Sequence, residues 1–473
     1  MTARQESART GGRHKRFPHG RGKRKADPRP TLQSAGLRPR SRAEGASLAM
    51  AFALLSLALG LLVGSAVFLV MNLSEWLTRL IWESLGSRLS IPLFPLITCT
   101  LGGAVIGVWT YVSNDRVKSL EEVLGEFKRT GSYKTQGAIR PVVTFLLPLA
   151  FGGSIGFEAG LTGLITAGCC WVRDRIKRAG LSVARLHVDE VADASIAACV
   201  SAIFATPLAG IVAGVEDASK PDASDYTMRR GAKVALYTAA AFGAFGGILL
   251  FTRIFGSSSG LPRFDSIAVG DIRLLWVIPC IVAAYAMTLL HHASRRFFAS
   301  AARRLGTGAV GTVAAPVAAG ALMGAVATFL PYVLFPGEAQ TAELMREWSG
   351  CPAIVLLATG FAKAAITPMC LSMGWMGGDF FPSIFSGVAA GYGLAALTGA
   401  DPMLMVTVTT TAFLAGVTRK PLLTLAILIL CFPANGLIWM GVAAVIGAAM
   451  PLPSFSSLDG AADAPSIASD EGV

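Results

Sequence analysis

Charge is scarce in this chain. Charged residues make up 15% of its 473 residues, against roughly 25% in an ordinary soluble domain. That shortage excludes a typical soluble enzyme or binding module. Histidine is rarer still, with five in all. His14 and His19 lie in a basic N-terminal stretch, and His187, His291 and His292 have no ligand-like partner near them in the sequence. A metalloenzyme is thereby disfavoured. The eight cysteines contain no C-x-x-C spacing, and nearly all lie in apolar runs. They read as small hydrophobes, not as a disulfide framework or a metal site. The 52 glycines have no three-residue period, which excludes a collagen-like chain. What is present in quantity is apolar surface: 53% of residues, with a mean hydropathy of +0.58. Disorder is excluded for most of such a chain, and a multi-span membrane protein is what remains.

The net charge of +12 is unevenly placed. Residues 1–46 hold 13 Lys/Arg and three acids, Glu6, Asp27 and Glu44, a balance of +10. The other residues hold 28 basic and 26 acidic groups. The protein reads as a nearly neutral apolar body with a basic arm. Residues 1–46 are expected to be a disordered cytoplasmic tail near anionic headgroups, following the positive-inside rule. The Lys23-Arg24-Lys25 run admits a nucleic-acid reading, which the membrane body makes the poorer one; no nucleic acid is expected as a partner. The arm does not read as a signal peptide, because the apolar run after it starts late and is too long. Residues 456–473 form a short acidic tail.

Uncharged runs locate the spans, since a helix needs about 20 apolar residues to cross the hydrocarbon core. Such runs cover 45–74, 89–114, 194–215, 234–252, 274–294, 305–337, 380–400 and 421–458. Shorter ones at 141–157, 159–172, 348–362 and 364–378 are punctuated by Gly and Pro. They read as half-helices and re-entrant segments whose free backbone ends are buried in protein. The expected membrane domain is 47–455, in two halves of about 47–255 and 270–452. Two pairs of segments suggest duplication: "FATPLAGIVAGVED" (204–217) with "GVTRKPLLTLAILIL" (416–430), and "GGSIGFEAG" (152–160) with "GGDFFPSIFSG" (377–387). The order is the same in each half, a Gly-rich turn followed by a Pro-Leu helix. The polar stretch 113–140 offers Ser119 and Glu122 as a capping box.

An anion crossing a membrane must exchange its hydration shell for donors. Helix N-termini supply free N–H groups and about half a positive charge, and glycine lets the backbone come close. Two turns fit. In the first, Glu158 interrupts 31 otherwise uncharged residues. A carboxylate at membrane depth is a functional hypothesis by default. At a helix start it would sit like a tethered anion, and protonation would release it; a Glu capping its own helix is the plainer alternative. In the second, the N–H groups of Asp379 and Phe380 would point at an ion.

Here the chain resembles the CLC family of chloride channels and proton-coupled chloride antiporters. The stretch "AKAAITPMCLSMGWMGGDFFPSIFSGVAAGYGLA" (362–395) is similar to the family's Lys, apolar helix, Gly-x-x-Gly-Gly-x-Phe-x-Pro and Gly-rich helix. "GFEAG" is similar to its Gly-Arg-Glu-Gly-Pro, and the two Pro-Leu segments to its Asn-Ala-Pro-Leu-Ala-Gly and Arg-Ala-Pro-Leu-Thr stretches. The resemblance implies an all-α, polytopic fold with two inverted repeat halves and broken helices. It implies a homodimer in the plasma (inner) membrane, one anion pore per subunit, and no cofactor. Glu158 would be the gate. Asp379, Phe380, Gly156 and Phe157 would bind chloride or another small anion, protons being the second substrate of an antiporter. Counting from Pro207, Asp217 falls where antiporters keep a proton-relay glutamate, with Glu216 just before it; a solvated helix end is the plainer alternative for both acids. The family's pore serine is missing, with Ser113 or Asp115 nearest, and counting from Pro421 puts Asn435 at the pore tyrosine. Lys363 would lie near the inner vestibule, pair with a carboxylate or snorkel to the interface. Two alternatives stay open. One is a membrane enzyme acting on lipid-linked substrates, for which His187, Asp189 and Glu190 are the nearest constellation; the other is a non-conducting divergent homologue.

Overall fold

A computed structural model describes residues 42–86, 93–114, 122–123, 126, 139–178, 188–218, 230–256, 261–267, 274–306 and 308–453. The expected basic arm up to residue 41, Ser119, and the acidic tail lie outside the described residues. The chain divides into two units, Met1–Ser47 and Leu48–Val473. In the first, the described residues begin a helix; everything below concerns the second.

Among the described residues there are fifteen α-helices and no β-strand. They are α1 (Arg42–Arg79), α2 (Phe94–Ser113), α3 (Ile139–Ala150), α4 (Glu158–Arg178), α5 (Val188–Ile203), α6 (Pro207–Ala218), α7 (Arg230–Phe255), α8 (Val277–Leu305), α9 (Ala309–Ala327), α10 (Glu338–Glu347), α11 (Ala353–Ser372), α12 (Phe380–Thr398), α13 (Pro402–Thr418), α14 (Pro421–Leu428) and α15 (Leu437–Ala449). Seven of the helices are long and apolar enough to cross a membrane. Several starts follow from proline, which suits a first turn because it has no N–H to leave unpaired. Pro402 opens α13, and Asp401 before it accepts the Leu404 N–H at 2.7 Å. Pro207 and Pro421 open α6 and α14, two helices too short to span.

Small residues let the spans pack closely. Between apolar helices in lipid, attraction comes from tight contact more than from water exclusion. A β-carbon added at Gly103 or Gly107 would meet the backbone of Pro316 or Val313, so α2 and α9 lie nearly backbone to backbone. Gly387 and Gly391 do the same for α12 against Thr410 and Val406 of α13. α12 is thereby enclosed between α11 and α13, while Leu62, Val112, Phe329 and Ile438 point outward.

The halves repeat at a constant offset of 222 residues around the two Gly-rich turns. The Gly153 N–H donates to the Pro148 carbonyl at 2.8 Å, and the Trp375 N–H donates to Cys370 at 2.9 Å. Gly152 and Gly374 hold φ of 85° and 95°, the left-handed region that favours glycine. The sequence comparison set the pair Gly152-Gly153 against Gly377-Gly378. The structure instead matches Gly152 with Gly374 and Gly156 with Gly378, because turn geometry, and not the Gly-Gly pair, is what repeats.

Among the described residues Lys363 has no carboxylate partner, and it does not snorkel. It is fully buried on α11. Its ammonium donates to the carbonyls of Tyr332, Val333, Leu334 and Phe335 at 2.7–3.3 Å and lies 4.9 Å from the Phe385 ring centroid. Carbonyl dipoles take the place of water around the charge. The clamped segment continues to the site, since the Phe335 N–H donates to the Gly152 carbonyl at 3.1 Å. Lys363→Met keeps the apolar stem and removes the donor. Thermal unfolding in detergent should show a loss of about 1–3 kcal/mol for each carbonyl left without a partner.

Candidate functional site

Two turns and two helix starts meet in the interior. The turn before α4 and the turn before α12 are joined by a pair of antiparallel backbone bonds: Gly156 N–H to the Gly378 carbonyl at 2.7 Å, and Gly378 N–H to Gly156 at 3.0 Å. Two residues past each bridged glycine a helix begins, at Glu158 and at Phe380. The positive ends of α4 and α12 therefore converge on one place, which favours negative charge.

In this structure a side chain of the protein takes that place. Glu158 is 1% exposed, and its Oε1 accepts the Phe380 N–H at 2.7 Å. Its own carboxylate thus occupies the mouth of the other half's helix. Oε2 has no hydrogen-bond partner among the described residues. Leaving a buried acceptor unpaired costs about 1–3 kcal/mol, and more for a charged one. The carboxylate is well placed by geometry and poorly satisfied by hydrogen bonding. Gly156 and Gly378 are required beneath it, because a β-carbon on either would collide with the carboxylate.

The walls are aromatic. Phe204 stacks on Phe381 with centroids 5.2 Å apart and tilts against Phe380 at 5.7 Å, and Phe157 meets Phe381 edge-on at 5.8 Å. Behind the first turn, Ser154 and Thr367 share a buried hydroxyl hydrogen bond of 3.0 Å. Asp379 precedes α12 as its N-cap residue without capping it by its side chain, which is 22% exposed.

The expected residues divide. Gly156, Phe157, Glu158, Asp379 and Phe380 come together. Ser113 is buried in the last turn of α2, at the carbonyl end of that helix, where the dipole does not favour an anion. Asn435 has both ends of its amide engaged by backbone. Its Nδ2 donates to the Ile267 carbonyl at 2.8 Å and its Oδ1 accepts the Ile267 N–H at 3.3 Å, so its amide braces the 261–267 segment. Glu216 and Asp217 are in the last turns of α6, and their side chains lie outside the described residues. Two residues of the site went unassigned. Phe204 had a visible signal, an aromatic residue three positions before Pro207. His291 had none: its partner is Asp379, whose Oδ2 lies 3.9 Å from Nε2, and chain order hides that neighbour.

An all-α membrane body with two facing, inversely repeated helix ends around a buried carboxylate is the architecture of an ion channel or transporter. The chain belongs to the voltage gated chloride channel (CLC) family, whose profile matches residues 102–451. Its fold is similar to that of a CLC-type fluoride/proton antiporter, with TM-score 0.63 and 15% identity over 87% of this chain and 96% of that one. A slow cyanobacterial Cl−/H+ antiporter gives 0.62 and 15%, over 84% and 94%. A eukaryotic CLC transporter gives 0.61 and 16%, over 84% and 71%. No curated protein matches the sequence. The protein is an integral multi-pass membrane protein of a family that moves anions, with protons in its antiporters, and the enzyme alternative lapses with that membership.

Proposed function

We propose that the protein moves chloride or a similar small anion between the α4 and α12 turns, in exchange for protons, with Glu158 as the gate. The observation that carries this reading is the Glu158 carboxylate on the Phe380 N–H. A permeant anion and the ionised gate compete for the same donor. The main-chain N–H groups of Asp379 and Phe380 bind the ion, and Gly156 and Phe157 line its approach. A neutral acid gains little from a helix end, so protonation frees the gate and opens the site. Glu216 and Asp217 would pass the proton onward from α6. By the family resemblance the working form is a homodimer in the plasma (inner) membrane, with the basic arm cytoplasmic.

Efflux from liposomes loaded with chloride or fluoride tests this, with external pH recorded in the same vesicles. Anion efflux that drives proton uptake is the expected result. Efflux with no proton movement would make the protein a passive channel. No efflux of either halide from a folded, reconstituted protein would support the non-conducting alternative.

A further inference from the structure

His291 sits on α8 at 1% exposure, and neither ring nitrogen has a hydrogen-bond partner among the described residues. Its Nε2 is 3.9 Å from Asp379 Oδ2. That is too long for a hydrogen bond and short enough for the two groups to feel each other's charge. Asp379 stands at the N-terminus of α12, one residue before the N–H that Glu158 occupies. Its carboxylate, when ionised, is a fixed negative charge beside the place assigned to the anion. Like charges at such range oppose one another.

We infer that Asp379 and His291 form a second proton-binding pair, distinct from the gate, and that a proton on this pair and an anion at the start of α12 favour each other's binding. This rests on the anion site proposed above. By linkage the effect is reciprocal: anion binding takes up a proton, and acid tightens anion binding.

Several charged and titratable groups face the pair. From α4 comes Glu158. From α8 itself come Arg295 and His292, whose ring is 5.6 Å from that of His291. From α11 the Ala364 carbonyl faces the imidazole without closing a hydrogen bond. The α11 ammonium of Lys363 is committed to the carbonyls of residues 332–335. From α13 comes the Phe413 ring at 6.2 Å, and Arg419 just beyond that helix acts on His292. α9, α13 and α15 carry no titratable side chain. Glu158 and Asp379 oppose each other's charge, and replacing Glu158 with glutamine removes that contribution while leaving the Asp379–His291 contact in place.

The test uses the purified full chain carrying Glu158→Gln, whose gate no longer titrates. Chloride binding is measured by calorimetry from about pH 5 to about pH 8, a range that brackets the titration of an unperturbed histidine. The dissociation constant should rise about tenfold across that range. Binding should also take up protons, seen as a heat that depends on the buffer's ionisation enthalpy. In Glu158→Gln/Asp379→Asn the pH response should flatten to within about twofold and the proton uptake should vanish. Glu158→Gln/His291→Gln should shift or shrink the response. Asp379→Ser serves as a second variant if the Asn form unfolds. An unchanged pH response in the Asp379 variants overturns the pair while leaving the anion site in place. Failure of Glu158→Gln to bind chloride at any pH overturns the anion site itself, and the pair with it.

Discussion

Gly378→Val should cut anion flux by roughly 5- to 150-fold in a protein that still folds. Gly378 carries one half of the bridge that joins the turns, and it lies directly under the Glu158 carboxyl. A β-carbon there would run into the Oε1, Cδ and Cγ atoms of Glu158. The branched side chain also fills the space over the Phe380 N–H, where the competing anion would sit. Both occupants of the site are therefore displaced. Overpacking of this kind costs typically about 1–3 kcal/mol, which lowers occupancy by roughly 5- to 150-fold. Gly246 on α7 supplies the control, since a β-carbon added there meets nothing within 4 Å. Gly246→Val should retain flux in the same liposome assay. Wild-type flux in a folded Gly378→Val protein would remove this turn from the pathway.

Glu158→Gln should conduct at neutral pH as the wild type does in acid. In the wild type, the Glu158 carboxyl accepts the Phe380 N–H at 2.7 Å, and on the proposed reading its ionised form excludes the permeant ion. Acid outside protonates it, weakens that bond, and raises flux. Glutamine has the shape of the protonated form without its proton. A hydrogen bond to a charged group contributes about 1.5–3 kcal/mol, so losing the charge should raise anion access by roughly 10- to 150-fold at neutral pH. Most of the dependence on external pH should go, and proton movement should uncouple from the anion. Whatever pH response persists is assigned to Asp379 and His291. Unchanged flux with an unchanged pH response would reduce Glu158 to a structural cap.

The site was legible in the sequence where chemistry stands out against its background. A single carboxylate in a long uncharged run, with glycines before it, marks Glu158. Gly377-Gly378 ahead of a second apolar run marks α12. That the two turns face each other was only implied, because an antiparallel backbone bridge between Gly156 and Gly378 leaves no trace in side-chain pattern. Asn435, reached by counting from Pro421, has its amide on the Ile267 backbone, a contact between distant segments that the count does not show. His291 has no partner in its own stretch of sequence because its neighbour, Asp379, comes from the start of a different helix. Lys363 shows the same limit. The sequence announces a buried cation, while its four carbonyl partners lie in a turn between α9 and α10 and have no side-chain signature.

The central claim is that the gate and the permeant anion share one donor. Bromide anomalous scattering from crystals of the wild type and of Glu158→Gln, grown at neutral pH, addresses it directly. The account predicts no bromide at the start of α12 in the wild type. In Glu158→Gln it predicts a bromide within hydrogen-bonding reach of the Phe380 N–H, in the place the carboxylate held. A mutant crystal with no bromide between the two turns, and with the introduced carboxamide still on the Phe380 N–H, would contradict it.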